Sequence, residues 1–156
     1  MSKAIQKFDD LFDLNKDYHL HPAEADLLKD YLLKKKGWIY IATSPSLDLA
    51  GLSRALKIGR TAKSPMGRAK SLSTTGVPYE YTPIFSLEFL NTYIAETKIS
   101  QKLKKFRGEK EFYHINVNMA IDCIEEEYER QKKALNRYFS FQDVLTDPQI
   151  LNFYLR

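Results

Sequence analysis

Hydrophobic and polar positions repeat with two different periods along the chain. In the middle, short runs rich in β-branched and aromatic residues predict β-strands at residues 38–43, 55–60 and 79–88. A shorter aromatic and β-branched segment at residues 111–117 has a similar character. Near both ends, apolar residues recur every three to four positions, as in amphipathic helices. The chain is therefore expected to mix helices and strands.

Capping residues and apolar stripes set the expected helix boundaries. We expect helices in two pieces within residues 1–36, split around residues 15–22, and at residues 64–75, 91–106 and 118–138. The second piece has an apolar stripe formed by Leu27, Leu28, Tyr31 and Leu32. Gly37 should end this piece as a C′ glycine, while Asn91 and Asn118 should cap the two later helices. Glu126 and Arg130 have the i, i+4 spacing of a surface ion pair.

Length and composition fit a single globular domain with one core. The 156 residues are 44% hydrophobic and 28% charged, which is close to globular averages. The longest apolar run is residues 38–42, far short of the ~20 residues that span a bilayer, so we expect no membrane segment. The start of the chain has no apolar signal region, and Cys123 is a single cysteine. We therefore expect a reduced, cytoplasmic protein.

The basic residues are concentrated in the middle of the chain. Residues 49–79 carry six basic side chains and no acidic one, although the net charge of the whole chain is only +4. Residues 98–110 carry six more basic side chains against one glutamate. Clustering of this kind is typical of a protein that binds a polyanion such as nucleic acid. A solvated basic surface without a partner is the alternative.

Two polar side chains are expected on one face of the predicted sheet. Because strand residues alternate between faces, Tyr40 and Lys57 should lie together when the apolar faces of their strands are paired. Ala42 and Gly59 share that face, and their small size would leave a shallow concavity. The alternative is that Tyr40 only packs and Lys57 is only solvated.

A carboxylate interrupts the apolar stripe of the predicted helix at residues 91–106. Glu96 is aligned with Ile99, Leu103 and Phe106 at helical spacing. An unpaired buried carboxylate would cost several kcal/mol. Glu96 should therefore reach water at the edge of the stripe, pair with a cation, or bind a metal ion.

These motifs together resemble the GIY-YIG nuclease superfamily, in particular the phage and bacterial branch whose second motif reads Lys-Ile-Gly. The resemblance covers residues 37–127. It is carried by GWIYI at 37–41, LKIGRT at 56–61, Arg68, TGVP at 75–78, Ala95-Glu96 and EFY at 111–113.

The resemblance implies an α+β fold in which a small antiparallel sheet of three or so strands is flanked by helices. Residues 37–117 would form the nuclease core. Residues 1–36 would be an N-terminal helical extension, and residues 118–156 a C-terminal helix with an apolar tail. All three parts would belong to one compact domain, which would be a monomer or a homodimer formed through the tail.

The resemblance also implies hydrolysis of DNA phosphodiester bonds with Mg²⁺ or Mn²⁺, and RNA is not excluded. Tyr40 would activate the attacking water, and Lys57 would stand where many relatives have a second tyrosine. An adjacent ammonium such as Lys57 would favour the phenolate of Tyr40, whose reference pKa near ~10 makes it a poor base at neutral pH. Arg68 would stabilise the transition state, and Glu96 would bind the metal ion.

Six further residues are expected to hold the nucleic-acid backbone: Arg60, Lys63, Lys70, Ser100, Lys102 and Lys105. Ser100 stands where related sequences often have a histidine. A hydroxyl can donate to a phosphate, but it cannot shuttle a proton near pH 7. This departure leaves open an alternative function, a nucleic-acid-binding module that keeps the fold without catalysis.

Overall fold

The computed structural model describes residues 8–17, 21–43, 55–62, 82–108 and 112–137. These residues form a four-stranded antiparallel sheet and three α-helices. The strands are β1 (Gly37–Thr43), β2 (Ala55–Thr61), β3 (Thr82–Phe89) and β4 (Phe112–His114), in the order β3-β1-β2-β4. The helices are α1 (Ala25–Lys35), α2 (Thr92–Lys102) and α3 (Val117–Asn136). Short 3₁₀ helices cover Asp10–Phe12, Pro22–Glu24 and Lys104–Phe106.

This architecture confirms the expected α+β class. The three predicted strands are present, and a fourth is added because the aromatic segment after residue 111 pairs with β2 through Ala55, Leu56 and Lys57. The helices cover the apolar face of the sheet, where Ile41 and Ile58 share one buried core with Ile99. Burial of this face is the main stabilising contribution to the fold.

The register of β1 against β2 decides which side chains share a face. Tyr40 lies opposite Gly59, and Ala42 lies opposite Lys57. Tyr40 and Lys57 are therefore diagonal neighbours on the same face, as the alternation pattern predicts. The core residue Ile58 lies between Lys57 and Gly59 in sequence and faces the helices.

Two expectations about α1 need correction. Leu27 is 57% exposed, whereas Leu28 and Leu32 are buried, so the apolar stripe of this helix is narrower than predicted. Gly37 is not a left-handed C′ glycine, because α1 ends at Lys35 and Gly37 is the first residue of β1. A β-carbon at position 37 would lie 2.7 Å from the carbonyl oxygen of Thr61. Glycine is needed there for close packing of β1 against β2.

The caps of the later helices are predicted correctly in one case and wrongly in the other. The side chain of Asn91 accepts a hydrogen bond from the backbone N–H of Ile94, which confirms it as the cap of α2. The cap of α3 is Asn116, whose side chain accepts from the backbone N–H of Asn118. Asn118 therefore lies inside the helix, two residues after its cap. The expected helix at 91–106 ends at Lys102 and continues only as a 3₁₀ turn.

The ion pairs on α3 also differ from the i, i+4 pattern. Arg130 bonds Glu127 through two hydrogen bonds of 2.7 Å, and not Glu126. Glu126 instead accepts from Lys102 of α2 at 2.6 Å. Packing of α2 and the segment before α1 against α3 decides which of the two glutamates Arg130 can reach.

Several predictions fall outside the described residues. These are the predicted helix at 64–75, the first seven residues, and the apolar tail from residue 139. The site candidates Arg68 and Lys70 belong to that helix, and Lys63 directly precedes it. The division into an extension, a core and a C-terminal part stays a prediction. Among the helices that are described, none combines the length and the apolar character needed to cross a bilayer.

Candidate functional site

The ring of Tyr40 lies across Gly59 and brings the first two sequence motifs into contact. A β-carbon on Gly59 would lie 2.7 Å from the hydroxyl oxygen of Tyr40 and 2.9 Å from its Cζ. Both distances are shorter than van der Waals contact, so only glycine leaves room for the ring in this position. Tyr40 is 0% exposed. The pair therefore holds the phenol in one defined position.

We expect Gly59→Ala to destabilise the protein by about 1 to 3 kcal/mol, because the added methyl group overpacks the Tyr40 ring. Urea unfolding would measure the loss. Gly108→Ala is the matched control. Its β-carbon would meet the side chain of the exposed His114 at 3.0 Å, and that side chain can move away. Equal stability of the two variants would show that Tyr40 is not fixed by contact with residue 59.

Lys57 is a buried residue of β2. Its side chain is on the Tyr40 face, the residue is 8% exposed, and its Nζ lies 5.4 Å from the centroid of the Phe112 ring on β4. The ammonium is thus not a solvated group on an open face, which was the alternative interpretation of the sequence. A buried cation diagonal to a tyrosine can influence the protonation of that tyrosine.

Glu96 lines a cleft of about 290 Å³ beside β2 and β4. The residue is exposed, so this carboxylate lies at the edge of the core. The other residues lining the cleft are Ile58, Thr97, Ser100, Gln101, Arg107 and Tyr113. Arg107 donates a hydrogen bond of 3.1 Å from Nη1 to the hydroxyl of Ser100. The cleft therefore combines one carboxylate, one guanidinium and several neutral oxygen groups.

The Glu96 cleft and the Tyr40 hydroxyl lie on different sides of β2. Glu96 is carried by α2, which packs on the Ile58 face, whereas Tyr40 and Lys57 belong to the other face. Among the described residues, the pairing of β2 with β4 covers Ala55, Leu56 and Lys57. Gly59, which has no side chain, lies in β2 between the Tyr40 face and the face that carries Ile58.

The donor set of the cleft is compatible with a hard divalent cation. Mg²⁺ prefers oxygen ligands, keeps several waters, and is commonly bound through only one or two carboxylates. Glu96 offers one exposed carboxylate, and Ser100 and Gln101 offer neutral oxygens nearby. Within the ranges that the structure describes, no group of three or more His, Cys, Asp or Glu side chains could hold a metal ion. A Zn²⁺-type site is therefore not formed by these residues.

The described residues of the expected backbone-binding set have different surroundings. Arg60 lies over the ring of Tyr93, with its Cζ 3.9 Å from the centroid. Lys102 is engaged with Glu126, which neutralises part of its charge. Lys105 is exposed and lies near the ring of Phe106.

Sequence reasoning did not single out Arg107 or Tyr93 as site residues. Arg107 was visible only as one member of the basic block at 98–110. Tyr93 gave no signal, because its position beside Arg60 depends on how α2 packs against the sheet.

These features define a small α+β protein whose sequence is basic in its middle part and whose cleft carries a carboxylate and a guanidinium. The model of the T5orf172 domain family matches residues 37–127, which is 91 of the 156 residues, and the chain belongs to this family. Membership points to a nuclease-related or nucleic-acid-binding role. No curated protein and no solved structure gives a significant match.

Proposed function

We propose that this protein is a divalent-metal-dependent endonuclease of the GIY-YIG type that hydrolyses phosphodiester bonds of DNA. The observation that carries the proposal is the contact of the Tyr40 ring with Gly59, at a distance that leaves no room for a β-carbon at position 59 unless the ring moves. It brings together two of the motifs that carry the resemblance. The basic residues and the family membership support a nucleic-acid substrate.

Each proposed catalytic group has a defined task. Tyr40 accepts the proton of the attacking water, and Lys57 stabilises the phenolate that this requires. In-line attack increases negative charge on the phosphate oxygens, and Arg68 supplies the guanidinium that stabilises it. When bound at Glu96, Mg²⁺ or Mn²⁺ would supply further charge neutralisation at the phosphate.

In this proposal, Tyr40 and Glu96 act on one phosphate from the two faces of β2, beside Gly59. A phosphate beside Gly59 would lie between the Tyr40 face of the sheet and the cleft that contains Glu96. Because Tyr40 is fully buried, water and substrate reach its hydroxyl only after a local opening. The proposal therefore includes a conformational step before catalysis.

A second candidate function is nucleic-acid binding without turnover. It is favoured by the hydrogen bond between Arg107 and Ser100, which places a cation and a hydroxyl, both suited to phosphate binding, where related sequences often have a histidine. The buried state of Tyr40 also agrees with this function. The experiment that separates the two is cleavage of supercoiled and single-stranded DNA with Mg²⁺, Mn²⁺ or EDTA. Cutting that requires the divalent ion supports the nuclease, and salt-sensitive binding without cutting supports the binding module.

Lys57→Met is expected to move the rising limb of the pH–rate profile toward higher pH. Loss of the ammonium removes a stabilising charge from the phenolate, so the pKa of Tyr40 rises and the rate at neutral pH falls several-fold. Single-turnover cleavage from pH 6 to pH 10 would measure the profile. Lys57→Arg keeps the charge and should keep the profile. An unmoved profile in Lys57→Met would show that Lys57 does not tune Tyr40.

A further inference from the structure

Two cations are held against one exposed aromatic ring at the beginning of α2. The guanidinium Cζ of Arg60 lies 3.9 Å from the centroid of the Tyr93 ring, and the Nζ of Lys35 lies 4.4 Å from it. Tyr93 is 45% exposed. In the described part of the chain, neither cation forms an ion pair with a carboxylate. Contact with the ring restricts both side chains without neutralising them.

This stack lies next to the proposed metal site. Tyr93 and Glu96 are three residues apart on α2, so they are neighbours on one face of the helix. Thr97 lines both the Glu96 cleft and a second cleft of about 340 Å³, which also contains Lys35, Tyr93 and Lys98. The two clefts are therefore adjacent along the exposed side of α2.

The second cleft carries charges of both signs. Lys35 on α1, Lys98 on α2 and Arg130 on α3 line it together with Asp9, Asp10 and Asp13 from the segment before α1. The cations would attract a phosphate backbone and the aspartates would repel it.

We propose that Lys35 and Arg60, ordered by the ring of Tyr93, form a second phosphate-binding subsite for the nucleic-acid strand that enters the Glu96 cleft. The ligand is a backbone phosphate next to the one that is cut. The subsite rests on the proposed function for its substrate, but it requires only binding and no catalysis. An ordered pair of cations loses less side-chain entropy when it binds a phosphate than two free side chains lose.

The test is equilibrium binding of a fluorescent single strand and a duplex of 30 nucleotides in EDTA, at several salt concentrations. Lys35→Ala/Arg60→Ala should weaken binding about tenfold and reduce the slope of log K against log salt by about 0.7 to 0.9, as expected when one phosphate contact is lost. The control Lys34→Ala/Lys133→Ala removes the same charge from exposed positions elsewhere on the surface. It should have a clearly smaller effect.

Substitution of the uncharged Tyr93 ring gives a second, independent test of the subsite. Tyr93→Ala should weaken binding several-fold without a change in net charge, because both cations lose the surface that orders them, whereas Tyr93→Phe should bind like the wild type. Thermal melts would check that each variant is folded. If the double variant unfolds, the two Tyr93 variants still test the proposal. Binding by Lys35→Ala/Arg60→Ala equal to that of its control would overturn the subsite, as would a wild type that binds neither probe.

The outcome for the subsite is separate from the outcome for the nuclease. If the wild type does not cut DNA but the stack variants lose binding, the subsite stands and the catalytic proposal fails. If the wild type cuts DNA and the stack variants bind normally, the nuclease stands and the subsite is wrong.

Discussion

Glu96→Gln is expected to abolish metal-dependent DNA cleavage while leaving DNA affinity unchanged or higher. Glutamine keeps the size of the side chain and removes the charge that would hold the cation. Loss of a catalytic divalent ion removes several kcal/mol of transition-state stabilisation, and at about 1.4 kcal/mol per factor of ten the rate falls by about 10³-fold. Because Glu96 is exposed on α2, the substitution should leave the fold intact.

The measurement compares wild-type and Glu96→Gln protein, purified identically, on supercoiled and single-stranded DNA with Mg²⁺, Mn²⁺ or EDTA. Glu129→Gln is the matched control, because it neutralises another exposed glutamate, on α3 and outside the cleft. It should cut at the wild-type rate. If Glu96→Gln also cuts at that rate, Glu96 is not the metal ligand. If neither protein cuts but both bind DNA in a salt-sensitive way, the binding module is the better description.

Glu127→Ala is expected to destabilise the fold by about 2 to 4 kcal/mol. The carboxylate of Glu127 is fully buried and accepts two hydrogen bonds from Arg130, whose side chain is 22% exposed. Removing one partner of such a pair leaves a guanidinium without compensation, which typically costs 3–5 kcal/mol when both are buried and less when one reaches water. Urea unfolding followed by circular dichroism would measure the change.

Glu129→Ala provides the comparison, since Glu129 is exposed on the same helix and should change stability by less than about 0.5 kcal/mol. The double variant Glu127→Ala/Arg130→Ala should recover part of the loss, because it removes the unpaired guanidinium as well. A loss in Glu127→Ala no greater than that in Glu129→Ala would contradict a structural role for the pair.

The size of this effect follows from a polar network that joins distant parts of the chain. Arg130 also donates to the carbonyl oxygen of Phe12, and Gln131 donates to the carbonyl oxygen of Asn91 at 2.8 Å. The amide of Asn91 in turn donates to the hydroxyl of Tyr31 at 2.7 Å. Burial, together with a hydrogen bond to Asp9, raises the pKa of Tyr31, so the hydroxyl stays protonated and can donate to Asp9.

Features that depend on local rules could be predicted from the amino-acid sequence. Alternation of residues placed Tyr40 and Lys57 on one face, because each strand residue points away from the next. The Asn91 cap was predictable, because an N-cap is satisfied by a backbone N–H only three residues further on. The position of Glu96 at the edge of an apolar stripe also followed from helical spacing. The spacing did not tell which of the three alternatives applies to this carboxylate.

Features that depend on packing between distant segments could not be predicted in this way. Arg130 pairs with Glu127 and not with Glu126 because the segment before α1 packs against α3. The carbonyl oxygen of Phe12 in that segment accepts a hydrogen bond from Arg130. Gly37 is required by the carbonyl oxygen of Thr61 on the neighbouring strand and not by a left-handed turn. The stack of Lys35, Arg60 and Tyr93 joins α1, β2 and α2, and its members are too far apart in sequence for any periodicity to relate them. Such contacts form when the apolar faces of the helices and the sheet are buried together, and burial is a property of the whole fold.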